Sequence, residues 1–366
     1  MTLRTAIGMM SGTSLDGVDV ALIRSDGAWR IEAGPARTSA YSADRRAAIR
    51  SCLGQDRGSA AAVAAVTDAH LGALQAFLAA ENLHPADVDW VGFHGQTIRH
   101  DPQNRRTVQI GDTQALAAAA GIPVVSDFRS ADVRGGGQGA PLAPLYHAAL
   151  AAGLEKPLAV LNLGGVANVT WIGSAGPESG VEETPLMAFD TGPANALLDD
   201  WMLDRTGASF DRNGETAARG AADGGRIAAW LGHPWFRTAP PKSLDRNAFD
   251  AAVDDLSVEN GAATLTAFTV QSVVRAVGWM PEAPRRWLVT GGGRRNGFLM
   301  DCLRAALDAP VDPVEAVGWN GDALEAQAFA WLALRVVDGL PTSLPQTTGV
   351  PAPTSGGVID RPRRAP

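Results

Sequence analysis

The sequence predicts an α/β protein built as two lobes with a cleft between them, each lobe opened by a β-hairpin whose tip is made of small residues. Residues 4–24 read as strand, Gly/Ser-rich turn, strand, because apolar and β-branched residues flank a cluster able to bend sharply. The same grammar returns at 160–172, which implies an internal duplication. Elsewhere strands alternate with helical stretches, the pattern of a partly parallel sheet covered by helices. At 366 residues the chain also exceeds the usual reach of one hydrophobic core. The expected division is 1–150 for the N-terminal lobe and 151–366 for the C-terminal lobe.

After the first hairpin come a helix over 60–83, a strand over 88–93, a helix over 113–120 and a strand over 122–125. The Ala-rich run at 60–80 carries Asp68 and His70, so it reads as a core-facing helix and not a membrane span. The second hairpin precedes a helix over 194–206, further helical segments to 278, a strand over 286–290 and helices over 296–309 and 323–338. The Pro/Ser/Thr-rich tail holds one short strand ending at Ile359, with disorder expected beyond it. Trp171, Trp201 and Trp230 form no stacking stripe and are expected in the core.

A composition of 46% hydrophobic and 19% charged residues is that of a globular chain. A net charge of -8 opposes a surface made to neutralise nucleic-acid phosphates or anionic lipid, so no nucleic-acid or membrane partner is expected. Cys52 and Cys302 are far apart and lack metal-ligand spacing, as suits a reducing compartment. The apolar run at 6–10 is too short for a signal-peptide core, and a cytoplasmic location is expected.

Six groups of residues carry candidate chemistry. In Met10-Ser11-Gly12-Thr13-Ser14-Leu15-Asp16-Gly17-Val18-Asp19, glycines permit close backbone approach to an anion and hydroxyls add donors. A phosphate cradle and an ordinary hairpin tip both satisfy this pattern, and Asp16 or Asp19 would suit a water-rich magnesium site. Gly164 and Gly165 form the second tip, open to the same two readings. Gly291, Gly292 and Gly293 lie between an apolar strand and a helix, where backbone and helix N-terminus can approach a nucleotide; the spacing is not that of a dinucleotide fingerprint. Asp190, in Phe189-Asp190-Thr191-Gly192-Pro193, ends an apolar run just before a helix, as a general base or as a helix cap shared with Thr191. His94, Gln96 and Thr97, with Arg129 and Gln138 in a following polar, flexible loop, offer groups that bind hydroxylated and carboxylated ligands, although surface loops have the same composition. Asp322 and Glu325 are three apart on one face of a helix start, facing a ligand or favouring the helix dipole.

Met-Ser-Gly-Thr-Ser-Leu-Asp-Gly at 10–17, His-Gly-Gln-Thr-Ile at 94–98 and Phe-Asp-Thr-Gly-Pro at 189–193, in this order, resemble the anhydro-N-acetylmuramic acid kinase family over nearly the whole chain. Pro240-Pro241-Lys242-Ser243 and 325–332 add to the likeness. The resemblance implies a two-lobed actin-like ATPase (ribonuclease H-like) fold, ATP and Mg2+, a homodimer, and a role in cell-wall recycling. It implies that Gly12 to Asp19 bind ATP, that Asp190 is the catalytic base, and that Glu325 is a substrate-facing carboxylate. In the implied reaction Asp190 deprotonates a water attacking the anomeric carbon, and the released O6 receives the γ-phosphoryl group. Arg129 is our candidate partner for the lactyl carboxylate. Ala194 and Leu244-Asp245-Arg246 depart from the family pattern, and the arginines beyond Asp360 have no counterpart in it. A kinase acting on another sugar or acid, and a non-catalytic nucleotide-responsive regulator, are the competing readings.

Overall fold

The computed structural model describes residues 2–12, 14–175, 179–245, 249 and 251–362. Its strands are β1 (Arg4–Ser11), β2 (Gly17–Ser25), β3 (Ile31–Ala40), β4 (Trp90–Asp101), β5 (Arg106–Ile110), β6 (Val124–Ser126), β7 (Leu158–Leu163), β8 (Val166–Ile172), β9 (Leu186–Pro193), β10 (Trp287–Thr290), β11 (Val311–Pro313) and β12 (Val358–Asp360). The helices are α1 (Ala43–Arg50), α2 (Ala60–Ala80), α3 (Thr113–Ala120), α4 (Ser130–Gly135), α5 (Pro144–Leu150), α6 (Asn195–Thr206), α7 (Gly224–Leu231), α8 (Val258–Ala276), α9 (Gly297–Ala306), α10 (Leu324–Val337) and α11 (Pro345–Thr348).

The chain forms two compact units, 1–153 with 177–183 and 323–366, and 154–176 with 184–322. The division expected from chain order, 1–150 and 151–366, is therefore corrected at its end. Residues 323–366 belong to the first unit because α10 packs along β1, β2 and β4. A Cβ on Gly8 would overlap the Ala326 carbonyl oxygen, and one on Gly92 would overlap that of Phe329. These two strand glycines let the helix backbone lie directly on the sheet, which no side chain would permit.

Both sheets follow one plan. In the first unit the order is β12-β6-β4-β1-β2-β3, with β5 also paired to β4. In the second it is β11-β10-β7-β8-β9. Each has a three-strand antiparallel meander whose first strand is flanked on its other side by parallel strands, β4 and β6 in one and β10 and β11 in the other. The expected α/β duplication is present as two units whose sheets share this plan.

Helix α2 is long and apolar enough to cross a membrane, yet Val66, His70, Leu74 and Phe77 lie buried inside the first unit. That matches its expected core-facing role. Trp171 and Trp201 are buried and Trp230 packs against the second unit's core. Two local expectations change. The strand expected at 88–93 extends to Asp101, because β5 pairs antiparallel with its polar second half, where no apolar alternation marks a strand. The tail is ordered past Ile359: Asp360 accepts from Thr113, and the Arg361 guanidinium lies 5.1 Å from the Trp90 ring centre.

Candidate active site

In the first unit the tip between β1 and β2 is held from beneath by side chains. Ser11, 1% exposed, donates to Gln96 Oε1 at 2.6 Å and accepts from the Tyr41 hydroxyl at 2.9 Å. The Gln96 amide nitrogen donates to the carbonyls of Gly12 and Thr97, each at 3.2 Å. Gln96 is completely buried, and both ends of its amide are committed within the protein, so it shapes the tip and does not face a ligand. Arg46 donates to the Leu15 carbonyl and Tyr41 N–H to that of Asp16.

The tip residues expected at the nucleotide divide by exposure. Leu15 and Val18 are buried, and Gly17 is glycine because a Cβ there would overlap the Ser39 carbonyl of β3. Their side-chain positions answer to packing. Gly12 is half-buried, a Cβ there would make only ordinary contact with Ser14 Oγ at 3.6 Å, and Ser14 and Asp16 are exposed. Asp19 accepts from Thr38 at 2.6 Å. Thr13 lies outside the described residues.

Beside this tip, buried His94 and half-buried Arg129 form a pair. Arg129 Nε and Nη2 reach His94 Nε2 at 3.1 and 3.0 Å, while His94 Nδ1 faces the Gly95 carbonyl at 2.9 Å. A guanidinium only donates, so Nε2 must accept and the ring is neutral with its proton on Nδ1. Burial, then the adjacent guanidinium, holds the His94 pKa well below its ordinary value. Arg129 Nη1 donates to the Gly139 carbonyl at 2.6 Å. Of its five N–H groups, one on each terminal nitrogen is left, a pair spaced for a carboxylate. Burial lowers the Arg129 pKa to about 10, opposed by the charges of Glu325 and Asp132.

Residues 127–141 are not merely a loop. Helix α4 sits within them, and Asp132, 1% exposed, accepts from Gly139 N–H at 2.6 Å and from the Thr348 hydroxyl at 2.5 Å. Gln138 N–H donates to the Thr348 carbonyl at 2.6 Å. Thr97 accepts from Gln109 at 3.2 Å. Glu325 is exposed in the first turn of α10. Asp322 precedes that helix and pairs with Arg294 at 2.9 Å and with Arg295, so the expected two-carboxylate helix face does not form.

In the second unit the tip is supported by backbone. Gly164 and Gly165 join β7 to β8, and their carbonyls accept the N–H groups of Ala194, Asn195 and Ala196. The tip thus satisfies the start of α6, a task that neither Asp190 nor Thr191 performs; Thr191 donates to the Ala167 carbonyl instead. Parallel pairing of β10 with β7 brings the glycine turn alongside. A Cβ on Gly291, at φ +76°, would overlap Asn162 Oδ1, and one on Gly293 would come within 2.6 Å of Leu163 Cβ. Of the three, only Gly292 is exposed, and a Cβ there would meet nothing closer than Asn195 Nδ2 at 3.9 Å. The expected free helix N-terminus after this turn is occupied: Asn213 accepts Gly297 N–H and Asn296 accepts Leu299 N–H, both at 3.0 Å.

Asp190 stands within β9, three residues before its end, opposite Asn168 where the β8–β9 register shifts. The loop containing Lys242 crosses it. Asp190 N–H donates to the Lys242 carbonyl at 3.0 Å, and Leu244 N–H donates to Asp190 Oδ2 at 2.7 Å. Desolvation raises the carboxyl pKa to about 7, against the Leu244 bond and the Lys242 charge. Lys242 is 8% exposed; its ammonium lies 4.1 Å from the Trp235 ring centre and donates to the Trp235 carbonyl. Burial, with Arg275 nearby, lowers its pKa to about 8. Sequence reasoning gave Lys242 no role, because a contact from a loop so distant in the chain leaves no local pattern. A carboxyl near neutrality, oriented by one N–H, can hold or release a proton at physiological pH.

A protein from Rhodospirillum rubrum described as anhydro-N-acetylmuramic acid kinase is 54% identical over 359 residues, covering 96% of this chain and 93% of its own. One of the same description from Paramagnetospirillum magneticum is 54% identical over 356 residues, covering 96% and 98%. Among solved structures, component A of (R)-2-hydroxyglutaryl-CoA dehydratase from Acidaminococcus fermentans aligns with a TM-score of 0.49 at 12% identity, over 91% of this chain and 98% of that one. The sequence profile described as anhydro-N-acetylmuramic acid kinase matches residues 4–361, and the chain belongs to that family.

Proposed function

We infer that this protein is an ATP-dependent kinase that converts 1,6-anhydro-N-acetylmuramic acid and water to N-acetylmuramic acid 6-phosphate, within peptidoglycan recycling. The observation that carries the reading is Asp190, held by Leu244 N–H with its pKa near 7, in a chain that matches the family over residues 4–361. Asp190 takes a proton from water as the water oxygen bonds to C1. The C1–O6 bond breaks, and O6 takes the γ-phosphoryl group as ADP departs.

Exposed Ser14 and Asp16 with half-buried Gly12 on the first tip are the surface we assign to ATP, and exposed Gly292 of the second unit is a further candidate contact for the nucleotide. Arg129, with an N–H left on each terminal nitrogen, suits the lactyl carboxylate, and Glu325 is assigned to the sugar's hydroxyls. Among the described residues no three His, Cys, Asp or Glu side chains converge as a metal cage. Magnesium carried by phosphates needs only one or two protein carboxylates, and exposed Asp16 fits that role better than Asp19, which already accepts from Thr38. Bound there, the ion would neutralise charge on the β- and γ-phosphate oxygens. A homodimer and a cytoplasmic location complete the reading; ATP as substrate and the free Cys52 and Cys302 accord with the latter.

Turnover in 18O-labelled water followed by mass spectrometry tests the reaction. Label at C1 of the sugar with none in the transferred phosphate is expected. Label appearing in phosphate, with the anhydro sugar left intact, would mean ATP hydrolysis alone and would defeat the assignment.

A further inference from the structure

The structure assigns Asp132 and Thr348 as positioning residues for sugar recognition, acting through the Gly139 backbone on Arg129; this rests on the reading that Arg129 meets the sugar's carboxylate. The Thr348 hydroxyl, completely buried, donates to Asp132 Oδ2 at 2.5 Å. Asp132 Oδ1 accepts Gly139 N–H at 2.6 Å, and the Gly139 carbonyl accepts Arg129 Nη1 at 2.6 Å. The main chain closes a second link, from Gln138 N–H to the Thr348 carbonyl at 2.6 Å. Every member of this series is a hydrogen bond, and the carboxylate within it is 1% exposed.

The geometry leaves the series little slack. Gly139 sits at φ +68°, and a Cβ there would overlap Val133, so the peptide whose carbonyl holds Arg129 is fixed in place by packing on one side and by Asp132 on the other. Gly137 is pressed so closely on the Asp132 carboxylate that a Cβ would overlap Oδ1. Arg129 is further anchored at His94, so its orientation depends on two acceptors, the imidazole and this one carbonyl. Thr348 ends α11, which follows α10 in the C-terminal segment that belongs to the first unit, and this makes the C-terminal part of the chain a support for the sugar site. Removing the hydroxyl leaves a buried carboxylate oxygen without its donor and frees the 137–139 peptides to shift.

Thr348→Val keeps the side-chain shape and deletes the donor. Steady-state kinetics should show KM for the anhydro sugar raised about tenfold, with KM for ATP within twofold of the parent, and Thr348→Ser should restore the sugar KM to within about twofold. Arg129→Gln is the companion measurement. If it raises the sugar KM while Thr348→Val does not, the positioning assignment is overturned and the Arg129 reading stands. If Arg129→Gln leaves the sugar KM unchanged, the Arg129 reading falls, and this assignment with it. Equal losses toward both substrates in Thr348→Val, unrelieved in Thr348→Ser, would show a general structural role and overturn the assignment. Should the valine variant not accumulate as folded protein, Asp132→Asn is judged by the same split between the two KM values.

Discussion

The two hairpins share a grammar but are built on different supports. The first tip stands on buried side chains, Ser11, Tyr41 and Gln96, that reach it from three separate strands or their ends. The second is a two-residue turn whose carbonyls bond to the start of α6 and whose flank is filled by the backbone of Gly291 and Gly293. A side-chain support from beneath leaves Ser14 and Asp16 exposed at the first tip. A backbone support makes the second tip rigid and ties it to the strand that carries Asp190. Similar sequences at two turns therefore do not imply similar duties.

The largest test of that contrast is at Asp190. Asp190→Asn should lower kcat by about 10²- to 10⁴-fold, the range for loss of a general base, while ATP binding measured by calorimetry stays within a few-fold. Unchanged turnover would remove the second unit's strand from the chemistry altogether. Next, Gly291→Ala places a Cβ against Asn162 at a left-handed φ and should destabilise the protein by about 2–4 kcal/mol, read by denaturant unfolding. A near-neutral result would show that the second tip is not backbone-supported.

Gln96→Leu removes the first tip's central amide and leaves the Gly12 carbonyl without that donor. A loss of about 1–3 kcal/mol is expected, with KM for ATP rising more than KM for the sugar. The reverse preference would place Gln96 at the sugar, as its sequence context first suggests. The pH dependence is gentler still: kcat/KM for the sugar should fall tenfold per pH unit below about 7, where Asp190 takes up its proton. Because folding raises this carboxyl's pKa, the stability it contributes is greatest in acid and declines as pH rises from the ordinary carboxylate range to about 7, then levels off. A pH-rate profile with its acid limb near 4 would separate Asp190 from the base role. Smallest is Gly292→Ala, which meets no atom closer than 3.9 Å and should alter stability by less than about 0.5 kcal/mol while raising KM for ATP. If it leaves KM for ATP unchanged, the exposed glycine is not at the nucleotide.

The sequence by itself determined the class of the fold, the duplication and the candidate segments. Strand periodicity, helix lengths and the small-residue tips are local properties, written in neighbouring residues and set by backbone sterics. The motifs at 10–17, 94–98 and 189–193 likewise carried the family likeness before any coordinates. What remained was how those residues divide between ligand and framework. Gln96 looks like a ligand-facing residue in sequence, yet burial and its committed amide make it framework, and close packing at the Cβ position explains why Gly17, Gly291 and Gly293 are glycine. The polar half of β4 read as a loop because its partner β5 is recorded only in pairing, and the C-terminal segment read as part of the second lobe because chain order says nothing about which sheet a late helix covers. Lys242 beside Asp190, and Thr348 behind Asp132, join residues far apart in the chain. Desolvation and hydrogen-bond geometry depend on everything that surrounds a group in space, so only the tertiary structure could decide them.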